Sequence, residues 1–145
     1  MRNHHAPLSE KIQLAKETAE SVAYVHQCKV LTCNIHVRNV LLDAELYIRL
    51  CDFQCWLLGH IGEVLLSGEA SENAESFMPH GNIEFADVKA NLFALGSNIY
   101  YTITGQRPLS QYNTIVDEAT VEGLYRKGNY PSLDKRSGGE VVHNC

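Results

Sequence analysis

From Val88 to Thr104 the chain carries a single charged residue, Lys89. Val88, Leu92, Leu95, Ile99 and Ile103 recur at close to four-residue steps, and Phe93, Ala94 and Tyr100 broaden the apolar surface. A helix that is apolar nearly all round has to be covered on most sides, so this segment predicts a central buried helix with the rest of the chain built around it. Gly105 stands where a left-handed C-cap belongs, and Pro108 closes the exit. With 145 residues, 45% of them apolar, the chain can form one domain with a real core and is too short for two ordinary ones.

A second helix is predicted over Glu10–Gln27. Ile12, Ala15, Ala19, Val22, Ala23 and Val25 recur at helical spacing, with Lys11, Lys16, Glu17 and Glu20 opposite. Ser9 is the expected N-cap, and Glu10 and His26 suit the two poles of the helix. Residues 1–8 are expected to be a disordered tail. Val30-Leu31 is expected to be a short strand, and Val40–Leu42 with Tyr47–Leu50 a hairpin around the turn Asp43–Leu46. From Gln54 to Ala86 the glycines and the polar run Ser67–Ser76 suggest a long loop. Thr114–Lys127 reads as a polar helix that Gly128–Pro131 breaks, and a helical start follows at Gly138. The expected fold class is mainly α with a small β-hairpin.

Several functions fit poorly. The net charge of −5 disfavours a nucleic-acid binder. No apolar run is long enough for a membrane span, and the N-terminus has no signal-peptide core. Five cysteines, an odd number, fit reduced thiols of an intracellular and cytoplasmic protein. Cys28, Cys33, Cys51 and Cys55 lack the paired knuckles of a zinc site, so buried thiols and no zinc are expected.

Two polar loops carry the candidate chemistry. Thr32–Asn39 precedes the hairpin, and Asp52 follows it at once. The hairpin therefore brings Asn39 and Asp52 to neighbouring ends on one side. Both offer oxygen to a hard cation, and magnesium needs few protein ligands because it keeps water. The bland alternative is that Asn39 bonds local backbone and Asp52 is solvated.

The order of these pieces resembles the C-terminal lobe of the eukaryotic protein-kinase fold, with wording close to divergent fungal kinase-like sequences. The family's H-R-D-L-x-x-x-N loop falls on Thr32-Cys33-Asn34-Ile35-His36-Val37-Arg38-Asn39, its D-F-G on Asp52-Phe53-Gln54, and its D-x-W-S-x-G on Asn91-Leu92-Phe93-Ala94-Leu95-Gly96. Met78-Pro79-His80 is a faint echo of A-P-E. The resemblance covers residues 9–145 and implies a kinase-like C-lobe, with the N-lobe absent and the C-terminal helices truncated. It implies magnesium and ATP as cofactors, held at Asn39 and Asp52.

The replacements weigh as much as the matches. Asn34 stands where the family has the aspartate that accepts the substrate hydroxyl proton. An amide has no useful proton affinity near neutral pH and cannot act as that base. Cys33 replaces the loop arginine, His36 a frequent lysine, and Gln54 a glycine. Asn91 replaces an aspartate that in the family receives backbone N–H groups from the loop; an amide oxygen can still accept such a bond, without charge. Phe53, Trp56 and the Phe93–Tyr101 aromatics are expected in the core, and Arg38 on the surface.

The resemblance then implies a protein kinase-like domain, ATP-dependent phosphotransferase by family and catalytically impaired by the replacement at Asn34. It would act as a pseudokinase or interaction module, with a protein partner at the exposed surface that faces the N-lobe in the family. The alternatives are residual Ser/Thr kinase activity with ATP and magnesium, or a truncated fragment without independent function.

Overall fold

A computed structural model describes residues 6–32, 35–53, 55–68, 78, 87–113, 116–133, 139 and 142. Helix α1 spans Leu8–Gln27, followed by strand β1 at Val30–Thr32. A 3-10 turn at Val37–Asn39 leads into β2 (Val40–Leu42) and β3 (Ile48–Leu50). Then come β4 (Cys55–Leu58), β5 (Val64–Ser67), α2 (Val88–Thr104) and α3 (Glu118–Arg126).

Helix α2 takes the central place that its sequence predicts. One side packs on α1, where Ala15, Val22, Ala94, Leu95, Ile99 and Ile103 form a buried cluster with Ile35 from the loop. The small side chains Ala15 and Ala94 let the two backbones approach, and the larger ones interlock around them. On another side the Phe93 ring meets Tyr125 of α3 edge-on, with centroids 5.0 Å apart at 84°. Tyr125 in turn stacks on Tyr130 at 5.8 Å. The helix is capped at both ends. Asp87 Oδ1 accepts from the Ala90 N–H at 2.7 Å. At the other end Gly105 adopts φ 73° and donates to the Tyr101 carbonyl at 2.7 Å.

The buried stripe of α1 is narrower than its apolar pattern suggests. Ala15, Thr18 and Val22 are buried, whereas Ile12 is 43% exposed and Ala23 also faces outward. Thr18 survives burial because its hydroxyl donates to the Leu14 carbonyl at 2.8 Å. The helix also starts earlier than expected. Pro7 takes the N-cap position in extended backbone without a side-chain cap bond, and Ser9 lies inside the first turn. Leu8 therefore belongs to the helix and not to the expected tail; residues 1–5 lie outside the described residues.

The predicted hairpin forms with the register Val40↔Leu50, Leu41↔Arg49 and Leu42↔Ile48. Its turn is organised by Asp43, whose Oδ1 accepts from the N–H groups of Glu45 (3.1 Å) and Tyr47 (2.9 Å). The other carboxylate oxygen receives Arg49, with Nη2 at 2.8 Å.

The long loop expected over Gln54–Ala86 is corrected in its first part. β4 and β5 form an antiparallel hairpin, and β4 also pairs with β1, giving the sheet order β1-β4-β5. The turn is closed by the Gly59 N–H donating to the Glu63 carbonyl at 2.7 Å and the Gly62 N–H to the Gly59 carbonyl at 3.2 Å, and Gly62 takes φ 86°. The signal was present: the apolar runs Cys-Trp-Leu-Leu and Val-Leu-Leu flank a segment that holds Gly59 and Gly62. Residues 69–77, with most of the polar run, lie outside the described residues, as does most of the helical start at Gly138. Helix α3 is shorter than the expected Thr114–Lys127, and Gly128 at φ 72° ends it. Among the described residues no helix is long and apolar enough to cross a membrane.

A cap that needs a left-handed backbone gives a direct test. Gly105→Ala is expected to destabilise the chain by about 1 kcal/mol in urea unfolding, through backbone conformation alone. A Cβ there would meet nothing within 4 Å. Unchanged stability would show that the αL cap does not hold.

Candidate functional site

The loop that precedes the hairpin is anchored from below by Asn91. This residue is 1% exposed, on the face of α2 that looks toward β1. Its Oδ1 accepts from the Thr32 backbone N–H at 3.0 Å and from the Thr32 hydroxyl at 3.2 Å. The orientation of the amide is fixed, because a backbone N–H can only donate and must therefore face the oxygen. Nδ2 then points to the Asp87 carbonyl at 3.3 Å. His26 Nε2 lies 3.1 Å from the same oxygen and must carry its proton to bond there. The expected bond between Asn91 and the loop backbone is thus present, at the residue where the loop begins. The contributions of His26 and the Thr32 hydroxyl were not foreseen. They join positions 65 and 59 residues apart in sequence, for which no local pattern exists.

The far end of the loop is set by the 3-10 turn. His36 is buried and its Nδ1 accepts from the Arg38 N–H at 3.2 Å, while the His36 carbonyl accepts from the Asn39 N–H at 2.8 Å. Arg38 itself is exposed, as expected. One further bond joins the two halves of the site: the Cys51 N–H donates to the Asn39 carbonyl at 2.9 Å. It extends the β2–β3 ladder by one step beyond Val40↔Leu50. Asp52 comes next and takes φ 58°. Aspartate tolerates that left-handed conformation better than most side chains, and unusual backbone next to a polar cluster is a feature of working sites. Asn39 and Asp52 are therefore brought together by the hairpin, half-exposed and exposed respectively. Their oxygens suit a magnesium ion that retains most of its water.

Asn34 lies outside the described residues, as do Cys33, Gln54 and Pro79-His80. Other expectations for side chains need correction. Phe53 is 49% exposed and sits in a groove beside α1 instead of in the core. It follows a residue with positive φ, which turns the chain away from the hairpin. Cys28 is exposed and Cys51 half-buried, so these two thiols are not buried ones. Trp56 is half-buried, with its indole N–H donating to the Gly68 carbonyl at 3.3 Å.

Comparison with known proteins bears on the same segments. The family described as protein tyrosine and serine/threonine kinase matches residues 1–127. The chain belongs to this protein-kinase family. It is 26% identical over 121 residues to a proline-rich receptor-like protein kinase, PERK13, of Arabidopsis thaliana, covering 79% of this chain and 17% of that one. It is 22% identical over 129 residues to a probable serine/threonine-protein kinase, PBL20, of the same plant, covering 88% of this chain and 32% of that one. The chain thus spans a third or less of the length of these relatives. Kinase family membership brings ATP and magnesium as the family's general cofactors.

Two predictions follow from this geometry. Asn91→Leu leaves the buried Thr32 N–H without an acceptor, and is expected to cost about 2–3 kcal/mol in chemical unfolding. Loss of less than about 0.5 kcal/mol would mean that the loop does not depend on this bond. The second concerns Asp43. The Tyr47 N–H, with Arg49 and the Glu45 N–H adding to it, holds its carboxyl below the ordinary aspartate value. A carboxyl lowered on folding stabilises above its unfolded value, about 3.9, and that part is lost as pH falls through the folded value. In a carbon-detected NMR titration Asp43 is expected to titrate below about 3.9, and Asp43→Asn to flatten the acid limb of stability below about pH 4. A midpoint at or above 3.9 would refute it.

Proposed function

We propose that this chain is a C-lobe-type piece of a protein kinase that does not itself transfer phosphate and acts by binding a protein partner. The observation that carries this reading is the asparagine at position 34 of a loop held in place by Asn91. The loop's anchoring to α2 supports a maintained scaffold, while the residue type at its centre cannot take a proton from a substrate hydroxyl. On this reading Asn39 and Asp52 keep the metal side of the site, and magnesium with a nucleotide is bound without turnover.

The partner surface we assign is the groove of α1 and β3 that Phe53, Tyr24 and Tyr47 line together with Glu17 and Glu20 of α1. The three rings are exposed. Aromatic faces beside carboxylates favour a protein segment that presents a Lys or Arg between apolar side chains.

The test has two readouts. Magnesium–ATP is expected to raise the melting temperature of the chain by mass action, and Asp52→Asn to abolish the rise. Absence of any shift at millimolar nucleotide would remove the metal assignment and leave the interaction reading standing. Transfer of labelled phosphate from ATP to a generic protein substrate by the wild-type chain would overturn the loss of catalysis. That outcome would favour residual Ser/Thr kinase activity.

A further inference from the structure

Strand β5 is exposed along its whole length, with Val64 at 47%, Leu65 at 60% and Leu66 at 64%. Ile61, in the turn before it, is 90% exposed. The strand stands last in the sheet order β1-β4-β5. β4 pairs with one edge of it, and among the described residues no strand pairs with the other. An open edge of this kind offers its N–H and C=O groups as a template for a further strand. The strand end is held in line with its neighbour, because the Trp56 indole N–H donates to the Gly68 carbonyl at 3.3 Å.

Lysine, proline or a bulge commonly guards such an edge. The register skips Leu65, since Leu57 pairs with Leu66 and Leu58 with Val64. From Cys55 to Gly68, however, the chain has no Lys, Arg or Pro, and Glu63 is the only acid. That carboxylate turns back on its own loop, where Oε2 accepts from the Ile61 N–H at 3.1 Å.

The charge pattern selects the occupant. An anionic membrane surface calls for basic side chains, which this hairpin lacks. A second copy of the strand needs none. Two β5 strands set antiparallel about a twofold axis between Leu65 and Leu66 place Leu65 opposite Leu66, Val64 opposite Ser67, and Glu63 opposite Gly68. Apolar side chains then meet across the axis, and neither glutamate faces the other. The far border of the sheet is already committed: Leu31 and Thr32 of β1 are buried, and the Thr32 N–H donates to Asn91 Oδ1 at 3.0 Å. Pairing through β5 therefore closes at two chains.

We propose that β5 is a self-association edge, on which β5 of a second copy of this chain adds antiparallel and joins the two three-stranded sheets into one. The surface shares no residue with the groove that Phe53 lines, and the proposal does not rest on the kinase reading. Strands this short make an interface at the small end of the specific range, below about 1,200 Å2, so the dimer is weak and depends on concentration.

Light scattering on the full chain, from micromolar to millimolar concentration, is expected to show the mass rising from one chain toward two. Leu65→Lys with Leu66→Lys, and separately Leu65→Glu with Leu66→Glu, are each expected to stay monomeric with unchanged circular dichroism, because both leucines are exposed. An equal mixture of the two variants is expected to recover the dimer, since opposite charges then face each other across the axis. Amide exchange at Val64–Ser67 of the wild type is expected to slow as concentration rises, and this measurement decides if a variant fails to fold. The proposal is overturned by a wild type that remains one chain at millimolar concentration, by a dimer that survives the lysine pair, by a mixture that stays monomeric, or by exchange that does not change with concentration. A monomeric chain that sediments with phosphatidylcholine–phosphatidylserine vesicles would overturn it in favour of a membrane surface.

Discussion

The amide oxygen of Asn91 is the point on which the described structure turns. It lies on the central helix, and it receives Thr32 from the loop and His26 from the end of α1. The end of α1 and the start of the loop are thus tied, through one buried atom, to a helix 65 and 59 residues away in sequence. In a low-dielectric interior these bonds are stronger than in water, and leaving any of the donors unmatched is correspondingly expensive. The arrangement gives the Thr32 N–H an acceptor where a polar loop begins above an apolar helix.

The same economy runs through the rest of the site. Buried polar side chains around the loop find partners within the fold: Thr18 in Leu14, Asn91 in Asp87 and Thr32, His36 in the Arg38 backbone. Against that background Asn98 stands out, two turns further along α2, with both polar atoms unmatched. The end of the hairpin at Asp52 has the opposite character. Asp52 is exposed on a left-handed turn, so charge is held in water and not in the core.

Much of this was legible in the residues. The apolar period of Val88–Thr104, the glycine cap at Gly105 and the hairpin over Val40–Leu50 all follow from local pattern. The β4–β5 hairpin was also encoded, by apolar runs around a glycine-bounded turn, but the surrounding polar run masked it as loop. Its partner β1 is more than twenty residues away, and strand pairing at that range has no one-dimensional signature. Phe53 misled for a related reason: an aromatic side chain suggests burial, but the backbone turn at Asp52 decides which way it faces.

The sequence by itself determined the kind of chain this is: a helix apolar enough to demand covering, and a loop–hairpin–Asp order. Those are properties of residue type and short spacing, and each acts within a few turns of chain. The tertiary structure decided which polar groups find partners. His26 reaches Asn91 while Asn98 reaches nothing, although both asparagines sit on the same helix. That difference comes from how α1, the hairpin and α2 converge in space. Hydrogen bonding depends on that distance and direction, which composition and periodicity do not carry.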